Sequence, residues 1–316
     1  MLELSPLGCS GDLPSVPALG TGADSHLYKK VTMSFVLVPL ALLAAVAGVV
    51  ALFIRQRNIE TWLASYLKQD WRAPVAAGVT KHVMFCFVDH YEPMWKQPDY
   101  ATECKRVARW RQEYPALCAP FKDADGRGPV HSFFYPEEEY RPEHLDPLVE
   151  ICRMGLGEIE IHLHHDKDTE AGLREKLRRF TQLLVDRHDA LPVDPVTKQP
   201  RWGFIHGNWA LDNSHPDGYG CGVNNELIVL REEGCYVDYT FPASPDPCQT
   251  STINKIYYAK DDPHACKSHD TGVRVVQRVQ PASVADSVRP SSSLSLASAR
   301  SATEPPLFES EKRRQS

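Results

Sequence analysis

The sequence predicts an α/β fold, an irregular (β/α) barrel that is short of strands and is preceded by one transmembrane helix. Three observations lead there. From residue 80 to about 245, apolar runs of strand length alternate with stretches of helical periodicity. Residues suited to catalysis or metal binding close five successive runs. An uncharged stretch of 24 residues precedes them all.

Composition bounds the functional classes. With 42 % hydrophobic and 24 % charged residues among 316, the chain can bury a core and is not disordered as a whole. The net charge of −6 and the absence of a Lys/Arg stripe argue against a nucleic-acid partner. The nine cysteines contain no Cys-x-x-Cys pair and are odd in number, which speaks against a zinc ribbon or a disulfide framework. Cys86 and Cys152 lie inside apolar runs and read as small core residues. The set suits a reducing compartment.

Residues 1–30 read as a disordered leader rich in Gly, Pro and Ser, or as an extension upstream of a start at Met33. The uncharged run 31–54 would span about 36 Å as a helix, more than a hydrocarbon core of about 30 Å. A single-pass membrane anchor is therefore expected. Lys29 and Lys30 precede it, and Arg55, Arg57, Lys68 and Arg72 follow, so the positive-inside rule leans toward a cytoplasmic main domain. Within 55–79, an amphipathic helix and linker, Ile59, Trp62, Leu63, Tyr66 and Leu67 share one helical face. That face would lie on the bilayer or pack on the domain.

The α/β domain is expected over 80–260. Strands are predicted at 83–88, 130–135, 158–163, 202–205 and 236–241. Between them, Val107, Trp110 and Tyr114 mark one helix. Leu145, Leu148, Val149 and Cys152 mark a second, closed by Gly155. Leu173, Leu177, Phe180 and Leu184 mark a third, and 226–233, ending at Gly234, a fourth. Strands that alternate with helices imply a parallel sheet or barrel, with chemistry at the C-terminal strand ends. Five strands are fewer than a closed barrel needs, so a shortened relative of a longer protein is expected. Residues 261–316, rich in Ser with Pro and Arg, read as a disordered tail.

The densest chemistry is Glu160-Ile161-His162-Leu163-His164-His165-Asp166. Imidazoles and a carboxylate at a strand end suit zinc or another divalent first-row metal. Asp89, closing the first strand, could bind the metal or take a proton from an attacking water. His206, at another strand end, could transfer a proton or stabilise a developing negative charge. Tyr135, Asn208 and Trp209 also stand at or just beyond strand ends and are candidates for substrate contacts. No G-x-S-x-G elbow, Walker loop or dinucleotide fingerprint follows a strand. The acidic run Glu137-Glu138-Glu139 leaves open a glycoside hydrolase that uses paired carboxylates.

In order along the chain come a strand-end Asp, a His-rich strand with Glu160-Ile161 preceding its later histidines, and Leu230-x-x-x-Gly234-x-x-x-Asp238-x-Thr240-x-Pro242. This series resembles the NodB-type polysaccharide deacetylases, carbohydrate esterase family 4, over roughly residues 80–245. The resemblance implies a deacetylase-like barrel and a metal-dependent hydrolase that removes acyl groups from N-acylated sugars, with zinc as the expected cofactor and a glycan as substrate. It implies Asp89 as base or ligand, and His162 as the first metal histidine. The second ligand falls on His164, His165 or Asp166, with His165 and Asp166 taken as the candidates. The chain departs from the family pattern in four places. His90 stands beside Asp89 where the family has a pair of aspartates. Asp166 stands where a second histidine is usual, His206-Gly207-Asn208-Trp209 replaces an Arg-Pro motif, and the late Leu-x-His motif is absent. The departures keep a non-catalytic protein with a degenerate deacetylase fold as a further alternative.

Overall fold

The computed structural model describes residues 24–69, 78, 80 and 83–275. The expected leader before residue 24, most of the linker before residue 83 and the tail beyond residue 275 lie outside the described residues.

The described residues open with helix α1 (Asp24–Gln56). Its segment Phe35–Gln56 has a mean hydropathy of 2.8 and is long and apolar enough to cross a membrane. Its large apolar side chains, from Phe35 to Phe53, are exposed. Helix α2 (Glu60–Leu67) follows after a tight turn. It docks on the domain through polar contacts. Trp62 Nε1 donates to Gln249 Oε1 at 2.8 Å, and Asn58 Nδ2 donates to the Pro245 carbonyl at 2.6 Å. Ser244 Oγ and Gln249 Nε2 both donate to the Arg57 carbonyl. The helix thus touches the domain, while Tyr66 and Leu67 of its apolar face stay exposed.

The domain alternates β1 (Phe87–His90), α3 (Tyr100–Cys118), β2 (His131–Pro136), α4 (Pro142–Arg153), β3 (Gly157–Leu163), α5 (Glu170–His188), β4 (Trp202–His206), α6 (Glu226–Glu232) and β5 (Cys235–Asp238). Local chemistry explains the helix starts. Asp99 accepts from the Thr102 amide at 2.7 Å to cap α3, and Thr169 accepts from the Gly172 amide to cap α5. Such caps contribute about 1 kcal/mol each. Pro142 starts α4, where its missing amide costs nothing.

The five strands form one parallel sheet in the order β1-β2-β3-β4-β5. The expectation of a barrel is not met, because this sheet is open: β1 and β5 lie at its two edges. Each strand adds beside its predecessor, as in a barrel, but five strands do not bring the first and last together. The observed first strand begins at Phe87, four residues later than expected. Val83 to Cys86 precede it with exposed side chains, so Cys86 is not a core residue. Regular structure also runs past residue 260, through an antiparallel pair, β6 (Tyr257–Ala259) and β7 (Gly272–Arg274). The eight described cysteines are all free.

Strand alternation gives the sheet two unlike faces. Phe133, Tyr135, Ile159, Ile161, Leu163 and Phe204 are fully buried in one core with the apolar stripes of α3 to α6. The stripe of α5 is the one predicted: Leu173, Leu177, Phe180 and Leu184 are each at most 1 % exposed. The opposite face carries Phe134, Glu160, His162 and Ile205. This face and the C-terminal strand ends hold the polar side chains of the candidate site.

Candidate functional site

Among the described residues, two groups of side chains at the C-terminal edge of the sheet could hold a metal ion. In each, the ligand atoms lie within 4.8 Å of one another.

The first group joins His90, Glu92 and His162. The register explains it. His90 is the last residue of β1 and pairs with Phe134, which pairs with Glu160, so His90 and His162 share the face opposite the helices. Their rings meet edge to face with centroids 4.4 Å apart. Glu92 Oε1 lies 3.3 Å from His90 Nδ1 and 3.1 Å from His162 Nε2. His162 Nδ1 lies 2.8 Å from the Ile205 carbonyl, which places the ring proton on Nδ1 and leaves the Nε2 lone pair facing the group. A metal-binding imidazole needs this tautomer and this backbone support. The donor set therefore fits a divalent ion. The His90 side chain is 33 % exposed, so the group is open to solvent on one side.

Beside it stands a carboxylate–histidine pair. His164 Nδ1 contacts Glu138 Oε1 at 2.5 Å, and its Nε2 points toward Glu92 Oε1 at 3.7 Å. Charge and hydrogen bonding set the titration of this region. Burial works to raise the Glu92 carboxyl, but hydrogen bonds from His162, when its Nε2 carries a second ring proton, and from His90 bring it down to about 2. A metal ion at the group would take the place of that Nε2 proton. Burial lowers His162. Burial opposes protonation of His164 as well, yet the Glu138 carboxylate outweighs it and raises that imidazole.

The second group, His165, His206, Cys221 and Glu226, is buried throughout. His165 follows β3, His206 ends β4, Cys221 lies in the loop after β4, and Glu226 begins α6. His165 Nε2 lies 2.9 Å from Glu226 Oε1, and Cys221 Sγ lies 3.3 Å from Glu226 Oε2. The Asp212 amide also donates to Glu226 Oε2. The rings of His165 and His206 stand 4.6 Å apart. Burial holds His206 down to about 3 and pushes the Cys221 thiol up. Burial disfavours a charged His165, but the Glu226 carboxylate prevails and raises it.

The late Asp-x-Thr-x-Pro segment has a positioning role here. Asp238 accepts from the Thr240 amide and hydroxyl, and Thr240 Oγ1 accepts from the His206 amide at 2.8 Å. The motif thus ties β5 to the end of β4. It orients His206 without reaching either group of ligands itself.

Several expected residues sit elsewhere. Asp89 lies on the helix-covered face of β1 and pairs with His131 at 3.1 Å; neighbouring His90 faces the site in its place. Asp166 accepts from the Gly220 amide and braces a loop, apart from both groups of ligands. Tyr135 is fully buried in the core, where its hydroxyl donates to the Glu139 carbonyl, so it cannot stack on a sugar. His165 and His206 do come together, but in the buried group and away from His162. Asn208 donates to the His165 and Gly220 carbonyls, and Trp209 beside it has a φ of +60°. In the acidic run Glu137 pairs with Arg179, Glu138 with His164, and Glu139 accepts from the Met94 amide. None of the three is left as a free carboxylate pair.

Sequence reasoning reached Glu138 only as part of the acidic run, left His90 and Glu92 out of the site, and did not single out Cys221 or Glu226. Two-residue alternation from His90 through Glu92 was a usable signal for Glu92. Cys221 and Glu226 carry no such signal, because their loop reaches the site only through tertiary packing. Comparison with protein-family models, with curated proteins and with solved structures finds no match to this chain.

Proposed function

We propose that the chain is a membrane-anchored, metal-dependent hydrolase of the polysaccharide deacetylase type, which removes acyl groups from N-acylated sugars. The observation that carries this reading is the convergence of His90, Glu92 and His162 on an open side of the sheet, with the His162 tautomer set for ligation. Catalytic metal sites use three protein ligands and keep a further position accessible. The order of the strand-end and Asp238-x-Thr240 segments supports the same family, and helix α1 supports the anchor.

His90, Glu92 and His162 would hold a divalent ion such as zinc, which would supply Lewis acidity and lower the pKa of a water toward neutrality. The Ile205 carbonyl keeps the His162 ring turned toward the group. His164, steadied through Nδ1 by Glu138, carries or moves a proton at Nε2 and serves the leaving amine. This is the role that the sequence pattern placed on His206, whose ring is fully buried. Trp209, on the loop after β4, is the aromatic side chain assigned to the sugar ring.

Acetate release from N-acetylglucosamine oligomers by the purified full chain tests the reading. Activity is expected to vanish with chelator, to return with zinc, and to fall about 10²-fold or more in His162→Ala. Reducing ends released without acetate, or acetate release indifferent to chelator, would reject it.

A further inference from the structure

We infer that His165, His206, Cys221 and Glu226 form a second, closed metal site of structural type, which takes a zinc-class divalent ion with one thiolate ligand and pins the loop after β4. It is independent of the reading given to the open group.

The donor chemistry comes first. Two imidazoles, a thiolate and a carboxylate are the ligand types zinc accepts, and four protein donors make a closed site. A thiolate and a carboxylate balance two positive charges, so the loaded site is neutral, the least costly way to bury an ion. All four side chains are buried, His206, Cys221 and Glu226 at 0 % exposure. The open group, by contrast, lacks sulfur and is reached by solvent through His90.

Unmet polar groups point the same way. His206 Nε2 has no hydrogen-bond partner, although its ring is fully buried and the atom faces Glu226 Oε1 at 3.7 Å. A buried donor left unpaired costs stability, and native interiors rarely leave one so. Outward support exists as well. His165 Nδ1 faces the Asp168 carboxylate at 3.4 Å, and Asp168 is held in turn by Lys176. This carboxylate–histidine arrangement orients metal-binding imidazoles. Binding expels the Cys221 thiol proton and the proton shared by His165 and Glu226. Ligation at His206 Nε2 leaves the ring proton on Nδ1, so the 3.2 Å contact from the Asn208 amide is given up.

The loop explains what such a site would do. His206 starts the segment, and Cys221 and Glu226 close it. Between them Trp209, Asp212 and Asn213 all hold left-handed backbone, with φ of +60°, +55° and +50°. Side-chain-bearing residues stay in that region only where the surroundings impose it. A metal that bridges both ends of the segment is such a constraint.

The test uses the full chain with His162→Ala, which removes the open group. After cobalt loading, this variant is expected to keep one ion per chain and to show a thiolate-to-cobalt charge-transfer band. Cys221→Ser added to it is expected to lose both ion and band. Should that variant fail to fold, the His162→Ala chain alone decides. Alkylation of Cys221, read by peptide mass spectrometry, is expected to be slow with metal and many-fold faster after chelation. A His162→Ala chain that binds no metal, bound cobalt without the thiolate band, or alkylation indifferent to chelator would each overturn the proposal. Lack of acetate release by the unsubstituted, metal-loaded chain, with the band intact in the His162→Ala chain, would count against the enzymatic reading alone.

Discussion

His162 shows how one side chain acquires a role from its neighbours. Its place on β3 sets the face, the Ile205 carbonyl sets its tautomer, and Glu92 sets what it shares. Two residues earlier, on the same face, Glu160 is a different case. It is 6 % exposed, and burial pushes its carboxyl up to about 7, despite hydrogen bonds from the Gly203 amide and the Tyr236 hydroxyl. The folded chain therefore holds a proton at Glu160 that the unfolded chain has released between about pH 4.5 and 7. Stability is favoured below the unfolded value and lost as pH rises through the folded one, by on the order of 3 kcal/mol in total. Glu160→Gln keeps an acceptor without the charge and should flatten this slope. Urea unfolding measured from pH 4.5 to 7.5 would show it, and equal slopes in the two proteins would place the pH dependence elsewhere.

Among the elements, the helices follow closely from local chemistry, and the loops do not. The stripe on α5 and the caps at Asp99 and Thr169 are written in consecutive residues, so the helices are legible in the sequence alone. The turn from α6 into β5 is legible too. Gly234 has φ of +113°, and a Cβ there would run into the Pro200 carbonyl. Gly234→Ala should destabilise the domain by about 2 kcal/mol or more, since both the backbone conformation and the space exclude it. A lower urea midpoint with an unchanged slope would report this. An unchanged midpoint would mean that the Pro200 backbone gives way freely. The loop after β4 is the opposite case. Nothing periodic marks Cys221 or Glu226, and no motif announces that they meet His165 and His206.

For the molecule as a whole, an apolar helix leads into a one-sided α/β domain. The α1 segment exposes its apolar side chains all round, which in water leaves large apolar area uncovered. The full chain is therefore expected to stay with membranes through an alkaline carbonate wash, and a chain lacking residues 24–56 to leave them. Release of the full chain by the wash would reject the anchor. Alternation of strand and helix is enough to foresee a parallel sheet, the helix stripes and polar side chains gathered at the C-terminal strand ends, because those features depend on residues close together in the chain. Whether the sheet closes, which face Asp89 takes, and how the histidines divide between an open and a buried group are decided by strand register and by the path of the loop after β4. A shift of one residue in a strand moves a side chain to the other face, and only the packed neighbours fix that register.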